Sequence, residues 1–304
     1  MQSVLITGAH GFLGRYTALR FKMNGYHVIG MGLGSWENEK PSDFGIDDWR
    51  ESDITLEALS VISREIEGIV HCAGSGSVAF SFENPGMDFS QNVQTELAAL
   101  EFIRLSGSPM KFIYPSSAAV YGLQDDRELY VTDVPHPVSP YGYHKLIAEH
   151  LCESYAANFK VHASVIRFFS IYGEGLRKLL LWDACRKFDG PGDTLMFFGT
   201  GNETRDWIHA SDAAGLIFTI FQKSEGYSLY NGGSGTRHSI MDVITLCGKA
   251  LKSDKKVVFN GVQKQGDPKH YWADMSPARS IGWENTVSFG DGLERYIRWF
   301  REKA

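Results

Sequence analysis

The sequence predicts an α/β fold, in which a doubly wound parallel sheet carries helices on both faces. Three observations support this prediction. Short apolar runs that indicate strands alternate with longer amphipathic stretches, a glycine-spaced turn follows the first run, and polar residues stand directly after later runs. Ligands of such sheets bind at the carboxyl ends of the strands. We therefore expect the functional site at that edge.

The first βαβ unit lies at the start of the chain. Residues 2–7 contain a short apolar run, and the loop GAHGFLG then places glycines at positions 8, 11 and 14. An amphipathic stretch leads on to a second apolar run, HVIG. Such a loop can bring backbone N–H groups to a pyrophosphate at the helix N-terminus. A glycine-spaced loop alone is a weak signal, but its place between strand and helix predicts a dinucleotide-binding turn.

The alternation continues as far as residue 169. It predicts strands at 67–71, 111–114 and 161–169, and helices at 92–105 and 140–159. Beyond residue 170 the pattern is less regular, with short helical stretches at 177–188, 240–251 and 291–301 between glycine-rich breaks. We expect residues 1–169 to form the dinucleotide-binding domain and residues 170–304 to form a smaller lobe that closes over the substrate.

Ser117, Tyr141 and Lys145 are the strongest candidates for chemistry. They lie in SSAAVYG and SPYGYHKL, and Tyr141 and Lys145 share one helix face because they are four residues apart. An ammonium beside a phenol favours the phenolate, so we expect Lys145 to lower the pKa of Tyr141. Ser117 could position a carbonyl or alcohol oxygen. The alternative is a chance pair on the helix surface.

Composition excludes several classes of function. The chain of 304 residues has a formal net charge of -6 and no Lys/Arg run, which argues against nucleic acid as a partner. Its four cysteines show no metal spacing, so we expect reduced thiols in a cytoplasmic protein without a metal. The first strand begins almost at Met1 and no apolar run reaches spanning length, so we expect neither a signal peptide nor membrane insertion.

Motifs along nearly the whole chain resemble those of the extended short-chain dehydrogenase/reductase family, in its NAD(P)-dependent nucleotide-sugar epimerase/dehydratase branch. In order they are TGAHGFLG, HCAG, SSAAVYG, SPYGYHK, RFFSIYGEG, TRDWIHASDAA and GDPKHYWAD. The resemblance implies a Rossmann-type sheet to which the chain crosses back from the C-terminal lobe. It also implies a homodimer formed through a four-helix bundle, for which we expect Leu97, Leu100, Leu151 and Tyr155 to supply apolar surface.

The resemblance assigns roles to matching positions. Tyr141 would be the acid/base, Lys145 would tune it and hold the nicotinamide ribose, and Ser117 would bind the reacting sugar oxygen. The expected cofactor-binding residues are Gly8, Gly11, Phe12, Leu13, Gly14, Gly32, Asp53, Ile54, Ala73, Asn92, Tyr141 and Lys145. The expected substrate-binding residues are Ser117, Ser170, Arg205, Lys264 and Asp267. Two alternatives stay open: Asp53 as a helix N-cap, and Arg205 as a surface ion pair with Asp206.

Three departures from the family pattern narrow the function. Ala118 and Ala119 stand where dehydrating members carry an acidic pair, so 4,6-elimination of water lacks its carboxylates. Gly32 replaces the Asp that binds the adenosine ribose in NAD-preferring members, which favours NADP(H) over NAD. Lys264 and Ser170 replace the usual arginine and asparagine, which leaves the sugar and the base undetermined.

These observations predict a nucleotide-diphospho-sugar epimerase that works by transient hydride transfer, at sugar C4. The alternative is an NADPH-dependent 4-keto-sugar-nucleotide reductase with the same three residues, which Gly32 suits better. A 4,6-dehydratase and a non-catalytic dinucleotide-binding sensor come after these. A sensor of this kind usually loses the tyrosine or the lysine, and this chain keeps both.

Overall fold

The computed structural model describes residues 2–36, 39–223, 225–262 and 268–303. Its strands are β1 (Ser3–Thr7), β2 (His27–Gly32), β3 (Asp48–Glu51), β4 (Gly68–His71), β5 (Lys111–Ser117), β6 (His162–Phe168), β7 (Ser170–Tyr172), β8 (Thr194–Phe197), β9 (Thr204–His209), β10 (Tyr227–Gly232), β11 (Arg237–Ser239) and β12 (Lys256–Phe259). Its helices are α1 (Phe12–Met23), α2 (Leu56–Ser60), α3 (Val78–Glu83), α4 (Pro85–Phe89), α5 (Thr95–Ser106), α6 (Pro140–Phe159), α7 (Leu179–Asp189), α8 (Ala210–Lys223), α9 (Ile240–Leu251), α10 (Ser276–Ser280) and α11 (Phe289–Lys303).

The central sheet has seven parallel strands in the order β10-β6-β5-β4-β1-β2-β3. The order reverses between β1 and β4, and at such a switch point the connections leave in opposite directions and open a crevice. The glycine turn follows β1 and the HCAG segment follows β4, so both border that crevice. The predicted α/β fold with a Rossmann-type doubly wound sheet is confirmed.

Both faces of the sheet are covered because alternate strand residues point to opposite sides. In β1, Val4 and Ile6 pack with the helices α1 and α8, while Leu5 packs on the other face with α5 and α6. All three side chains are fully buried. This strand is therefore apolar on both faces, and the candidate catalytic residues lie at the ends of the strands.

The C-terminal part returns to the central sheet. Strand β10 pairs with β6 in parallel, from Tyr227 against Ala163 to Gly232 against Phe168. The remaining strands form a three-stranded sheet, β11-β9-β7, and a two-stranded sheet, β12-β8. A separate apolar cluster joins α7, α9 and α11. The lobe thus has its own core, yet one of its segments completes the main sheet.

Local signals placed several helices correctly. Helix α6 begins at Pro140, as predicted, and the Ser139 hydroxyl caps it by accepting from the Gly142 N–H at 3.1 Å. The helix predicted at 92–105 differs at its start, where residues Ser90–Gln94 form a π-helical turn between α4 and α5. In the part of the chain that the structure describes, we find no helix long and apolar enough to cross a membrane.

Candidate active site

Strand β5 and helix α6 bring Ser117, Tyr141 and Lys145 together. Ser117 is the last residue of β5, and α6 packs against that strand with Tyr141 and Lys145 in its first two turns. Tyr141 is 9% exposed and Lys145 5% exposed, so the alternative of a surface pair is wrong. The three residues lie at the carboxyl edge of the sheet, where ligands of this architecture bind.

The surroundings of Tyr141 favour the neutral form of its phenol. Burial raises its pKa to about 12, the Ser117 hydroxyl acts to lower it, and the Asp88 carboxylate raises it further. The expectation that Lys145 lowers this pKa is wrong here. The ammonium lies 5.9 Å from the centroid of the Tyr141 ring, and desolvation dominates at such a buried position.

The ammonium of Lys145 is held on the sheet side of the helix. Its Nζ donates to the Pro115 carbonyl at 3.2 Å and lies 4.7 Å from the centroid of the Tyr114 ring. Burial lowers its pKa to about 8, and the carboxylates of Glu96 and Asp88 oppose that shift. A group with this pKa can gain or lose its proton just above neutral pH.

A buried ion pair fixes the helix that carries these residues. Glu149, one turn beyond Lys145, accepts three hydrogen bonds from Arg167 of β6, with Oε2 at 2.7 Å from Nη2 and both oxygens at 3.1 Å from Nε. Its Oε1 also accepts from the Ser116 hydroxyl at 2.5 Å. All three side chains are buried. The pair therefore ties α6 to both β5 and β6, directly beside Ser117, and the sequence analysis did not single it out.

The glycine turn fits a dinucleotide. A side chain at Gly8 would place its Cβ 2.5 Å from the Ala73 N, and one at Gly14 would overlap the Gly8 carbonyl, so only glycine allows β1, β4 and α1 to approach this closely. The N-cap of α1 is Gly11, which offers no side-chain cap, and no acidic residue stands in the first turn. The N–H groups of Phe12, Leu13 and Gly14 are thus available to an anion.

Ala73 lies next to the glycine turn, and the buried Asn92 lies against the neighbouring Gly74. The N–H of Ala73 donates to the Thr7 hydroxyl at 3.3 Å, which orders the segment after β4. Asn92 lies in the π-helical turn, and its Nδ2 donates to the Asp88 carbonyl at 3.1 Å. Among the described residues its buried Oδ1 has no hydrogen-bond partner. A bound ligand could donate a hydrogen bond to a buried acceptor of this kind.

Of the residues expected near the adenosine, Gly32 lies at the end of β2 and Ile54 lies in the core. Gly32 ends β2 with φ +154, a conformation that side-chain residues rarely adopt. Ile54 is buried in the core, and Asp53 precedes it. The alternative of Asp53 as an N-cap is wrong, because the Thr55 hydroxyl caps α2 by accepting from the Ala58 N–H.

The expected substrate residues lie on two neighbouring strands of the lobe. Ser170 begins β7, and Arg205 lies on β9, with its guanidinium donating to the backbone carbonyls of Thr204 and Lys269. The alternative ion pair of Arg205 with Asp206 is wrong, since the buried Asp206 accepts from the N–H groups of Ser234, Gly235 and Ala273 instead. Lys264 and Asp267 lie outside the described residues.

One further cation belongs to this region. Lys178, at the start of α7, reaches towards the segment after β4, where its Nζ lies 3.7 Å from the position of a Cβ on Gly76. The neighbouring Arg177 turns away, donating to the Lys303 carbonyl at 3.1 Å beside Trp182 and Trp299. Lys178 therefore reaches from the lobe to the segment that follows β4.

No carboxylate follows Ser117. Ala118 and Ala119 form a 3-10 turn, and the Ala119 N–H donates to the Ser117 hydroxyl at 3.2 Å. Ala118 is buried. In the described ranges no group of three or more His, Cys, Asp or Glu residues could hold a metal ion. The described site can thus move a proton and orient an oxygen.

Comparisons with known proteins agree with this geometry. The family model described as the NAD dependent epimerase/dehydratase family matches residues 4–233. A putative UDP-glucose 4-epimerase of Methanocaldococcus jannaschii is 24% identical and covers 98% of each chain. A UDP-glucuronate 4-epimerase of Thermodesulfobacterium geofontis is 28% identical over 98% of this chain and 96% of its own. The UDP-glucuronic acid 4-epimerase of Bacillus cereus, solved with UDP-glucuronic acid and NAD, superposes with a TM-score of 0.87 at 25% identity, covering 100% of both chains.

Proposed function

The chain belongs to the NAD-dependent epimerase/dehydratase family, and from that premise we propose that it epimerises a nucleotide-diphospho-sugar at C4 by transient hydride transfer. The observation that carries the proposal is that the buried Tyr141 and Lys145 lie beside the half-buried Ser117 at the carboxyl end of β5. They lie beside a glycine turn that fits a dinucleotide. The relatives described as UDP-sugar 4-epimerases support both the reaction and the reacting carbon.

Each of the three residues has one task in this mechanism. Ser117 hydrogen-bonds the reacting sugar oxygen, Tyr141 takes the proton from that oxygen and later returns it, and Lys145 holds the cofactor ribose. A nicotinamide held at this site by Lys145 would supply the hydride acceptor for C4 and, in its oxidised form, positive charge near the phenol. Burial raises the pKa of Tyr141 to about 12 and so favours the protonated phenol, which is the state needed when hydride returns to the keto sugar.

The expected grip on the diphosphate comes from the lobe. Arg205 on β9 and Lys178 at the start of α7 supply cations on the lobe side of the cleft. Lys264 and Asp267 would complete the pocket, with Ser170 beside the sugar. A guanidinium and two ammonium groups suit a diphosphate, the part that all nucleotide-diphospho-sugars share. We therefore propose residues 170–304 as the substrate-binding lobe.

A 4-keto-sugar-nucleotide reductase is the second candidate. It would use the same residues in the donating direction with exchangeable NADPH, and Gly32, which leaves the end of β2 without a carboxylate, favours it. Ala118 and Ala119 disfavour a dehydratase, because neither can act on the C5 proton or the C6 hydroxyl. Retention of Tyr141 and Lys145 disfavours a non-catalytic sensor.

The test combines cofactor analysis with product analysis. Purified protein is denatured, any released dinucleotide is identified, and native protein is incubated with UDP-glucose, UDP-glucuronic acid and UDP-N-acetylglucosamine. We expect inversion at C4, followed by proton NMR, without net consumption of added dinucleotide. Stoichiometric NADPH consumption with a 4-keto sugar nucleotide, and no inversion, would establish the reductase instead. Binding without turnover in either assay would contradict both enzymes and support the sensor.

We also propose a homodimer formed through α5 and α6. The large apolar residues left exposed on these helices are Leu97, Leu105, Tyr143, Ile147 and Phe159. They differ from the expected set, because Leu100 and Tyr155 are buried in the core of the protomer. Light scattering at micromolar concentration tests the proposal. We expect twice the chain mass for the protein and the monomer mass for Ile147→Lys.

A further inference from the structure

The end of β2 lacks the acidic residue that would bind adenosine ribose hydroxyls, and the backbone explains why none fits. Gly32 has φ +154, and a Cβ there would lie 3.4 Å from both the N and the Cα of Gly8. A side chain would therefore strain the backbone at the strand end, with its Cβ in contact with the glycine turn. The question is which residue instead meets the ribose at this end of the crevice.

Arg15 occupies that neighbourhood. From the first turns of α1, its Nε donates to the His10 carbonyl at 2.7 Å and its Nη1 contacts the Glu39 carboxylate at 2.6 Å. The guanidinium carbon lies 4.3 Å from the centroid of the Phe44 ring and 4.9 Å from that of Trp36. Backbone and aromatic contacts thus hold a planar cation in place before any ligand binds.

His10 connects this cation to the segment after β2. Its Nε2 lies 3.1 Å from the Arg15 Nη2 and 3.0 Å from the Ser35 carbonyl, and the tautomer decides which of the two contacts is a hydrogen bond. Arg15 is therefore adjacent both to the glycine turn and to the residues beyond Gly32. In this fold the adenosine ribose lies between those two segments.

Two details favour a phosphate over a hydroxyl at this place. The side chain of Glu39 is 50% exposed, so its ion pair with Arg15 is worth little and can be exchanged for a better anion. The indole N–H of Trp36 is buried, and among the described residues it has no acceptor. A phosphate oxygen is an acceptor for such a donor and a strong partner for a guanidinium.

We propose that Arg15 binds the 2′-phosphate of NADP(H), displacing Glu39, and so sets the cofactor preference of the protein. The proposal rests on the proposed function only in requiring a bound dinucleotide. The cation then comes from α1 rather than from the residues that follow β2. The competing possibility is that Glu39 itself binds the ribose hydroxyls of NAD.

The test uses two fragments that differ only in the 2′-phosphate, adenosine 2′,5′-bisphosphate and AMP. Titration calorimetry is performed on the full chain after removal of copurified dinucleotide. We expect the bisphosphate to bind at least about tenfold more tightly than AMP, because its 2′-phosphate adds roughly one charge-assisted contact. Arg15→Gln should abolish that difference and leave the affinity for AMP unchanged. Glu39→Gln should improve the affinity for the bisphosphate about threefold, because a competing carboxylate is gone.

Lys22→Gln is the matched control. It removes one exposed positive charge from the same helix, where Lys22 pairs with Asp47, and we expect it to leave the ratio of the two affinities unchanged. Equal binding of both fragments to the unmodified protein overturns the proposal, even if Arg15→Gln does not fold. Weaker AMP binding in Glu39→Gln would instead establish the NAD alternative. Neither result bears on C4 inversion, which is measured separately on the same preparation.

Discussion

At the carboxyl end of β5, Tyr141 and Lys145 are surrounded by buried partners, whereas at the carboxyl end of β2, Arg15 is paired with Glu39 in contact with solvent. Both places border one crevice. At the first, burial shifts the pKa values of Tyr141 and Lys145 in opposite directions. At the second, the contacts are exposed and exchangeable. We infer that the chemistry depends on fixed, desolvated groups, while cofactor choice depends on groups that can change partner at little cost.

The largest effect is expected for a substitution among the buried residues at the carboxyl end of β5. Tyr141→Phe should lower the turnover number by about 10²–10⁴, the usual worth of a positioned proton-transfer group, and leave dinucleotide and sugar-nucleotide binding intact. Steady-state kinetics and titration calorimetry measure the two quantities. Tyr143→Phe is the control, because Tyr143 lies on the same helix and is exposed. Undiminished turnover in the Tyr141 variant would end the acid/base assignment.

The second effect concerns the support beneath the catalytic helix. Glu149→Gln should lower the free energy of unfolding by about 3–5 kcal/mol, because it leaves the buried guanidinium of Arg167 without its counter-charge. Urea denaturation gives the value. Glu153→Gln, at an exposed position on the same helix, should change the free energy of unfolding by less than about 0.5 kcal/mol. Similar losses of unfolding free energy in both variants would show that the buried Glu149–Arg167 pair stabilises the protein no more than an exposed carboxylate does.

The third effect is a pH dependence. The pKa of Lys145 is lowered to about 8, so its ammonium is lost as the pH rises through that value, and turnover should fall on the alkaline side. Stability has the opposite sign. Between pH 8 and the ordinary lysine pKa of 10.5, the unfolded chain binds more protons at Lys145 than the native chain does. The free energy of unfolding therefore increases as the pH rises through this range.

The pH–rate profile of the protein should therefore show an alkaline limb near pH 8. Lys145→Arg keeps a positive charge throughout this range, and whatever turnover it retains should lose that limb. At pH 9.5 the proton concentration is about thirtyfold lower than at the pKa. If the turnover of the unmodified protein stays constant up to that pH, the charge of Lys145 is not needed.

The smallest effect is expected at the exposed end. Glu39→Gln should change the free energy of unfolding by less than about 0.5 kcal/mol, because an exposed ion pair contributes little to stability. Thermal unfolding without ligand measures it. A loss as large as that of Glu149→Gln would remove the contrast between the two ends, since the exposed pair would then be a structural contact.

The sequence could predict the structural features that depend on residues close together in the chain. The glycine spacing predicted the turn after β1, and Ser139-Pro140 predicted the start of α6, since the hydrogen bonds of both are made within a few residues. The raised pKa of Tyr141 could not be predicted, because it follows from burial by parts of the chain far apart in sequence. The same holds for Leu100, whose helix face turns to the core rather than to a partner subunit.

The contact between Arg15 and Glu39 shows the same limit. The two residues are 24 positions apart, and only the fold brings the first turn of α1 beside the segment after β2. A basic residue directly after the third glycine was the available signal. The favoured NADP(H) followed from Gly32, and nothing in the local pattern shows that a residue of the preceding helix lies beside the segment after β2.

The return of β10 to the central sheet has a consequence for biosynthesis. Strand β6 pairs with β5 on one side, and its other edge is covered only by β10, which lies 64 residues further along the chain in register. While the intervening residues are still being made on the ribosome, β6 presents open backbone N–H and C=O groups that can recruit another nascent chain. Newly made chains are therefore most vulnerable to aggregation before residue 232 has left the exit tunnel, and this interval is when a chaperone would protect them.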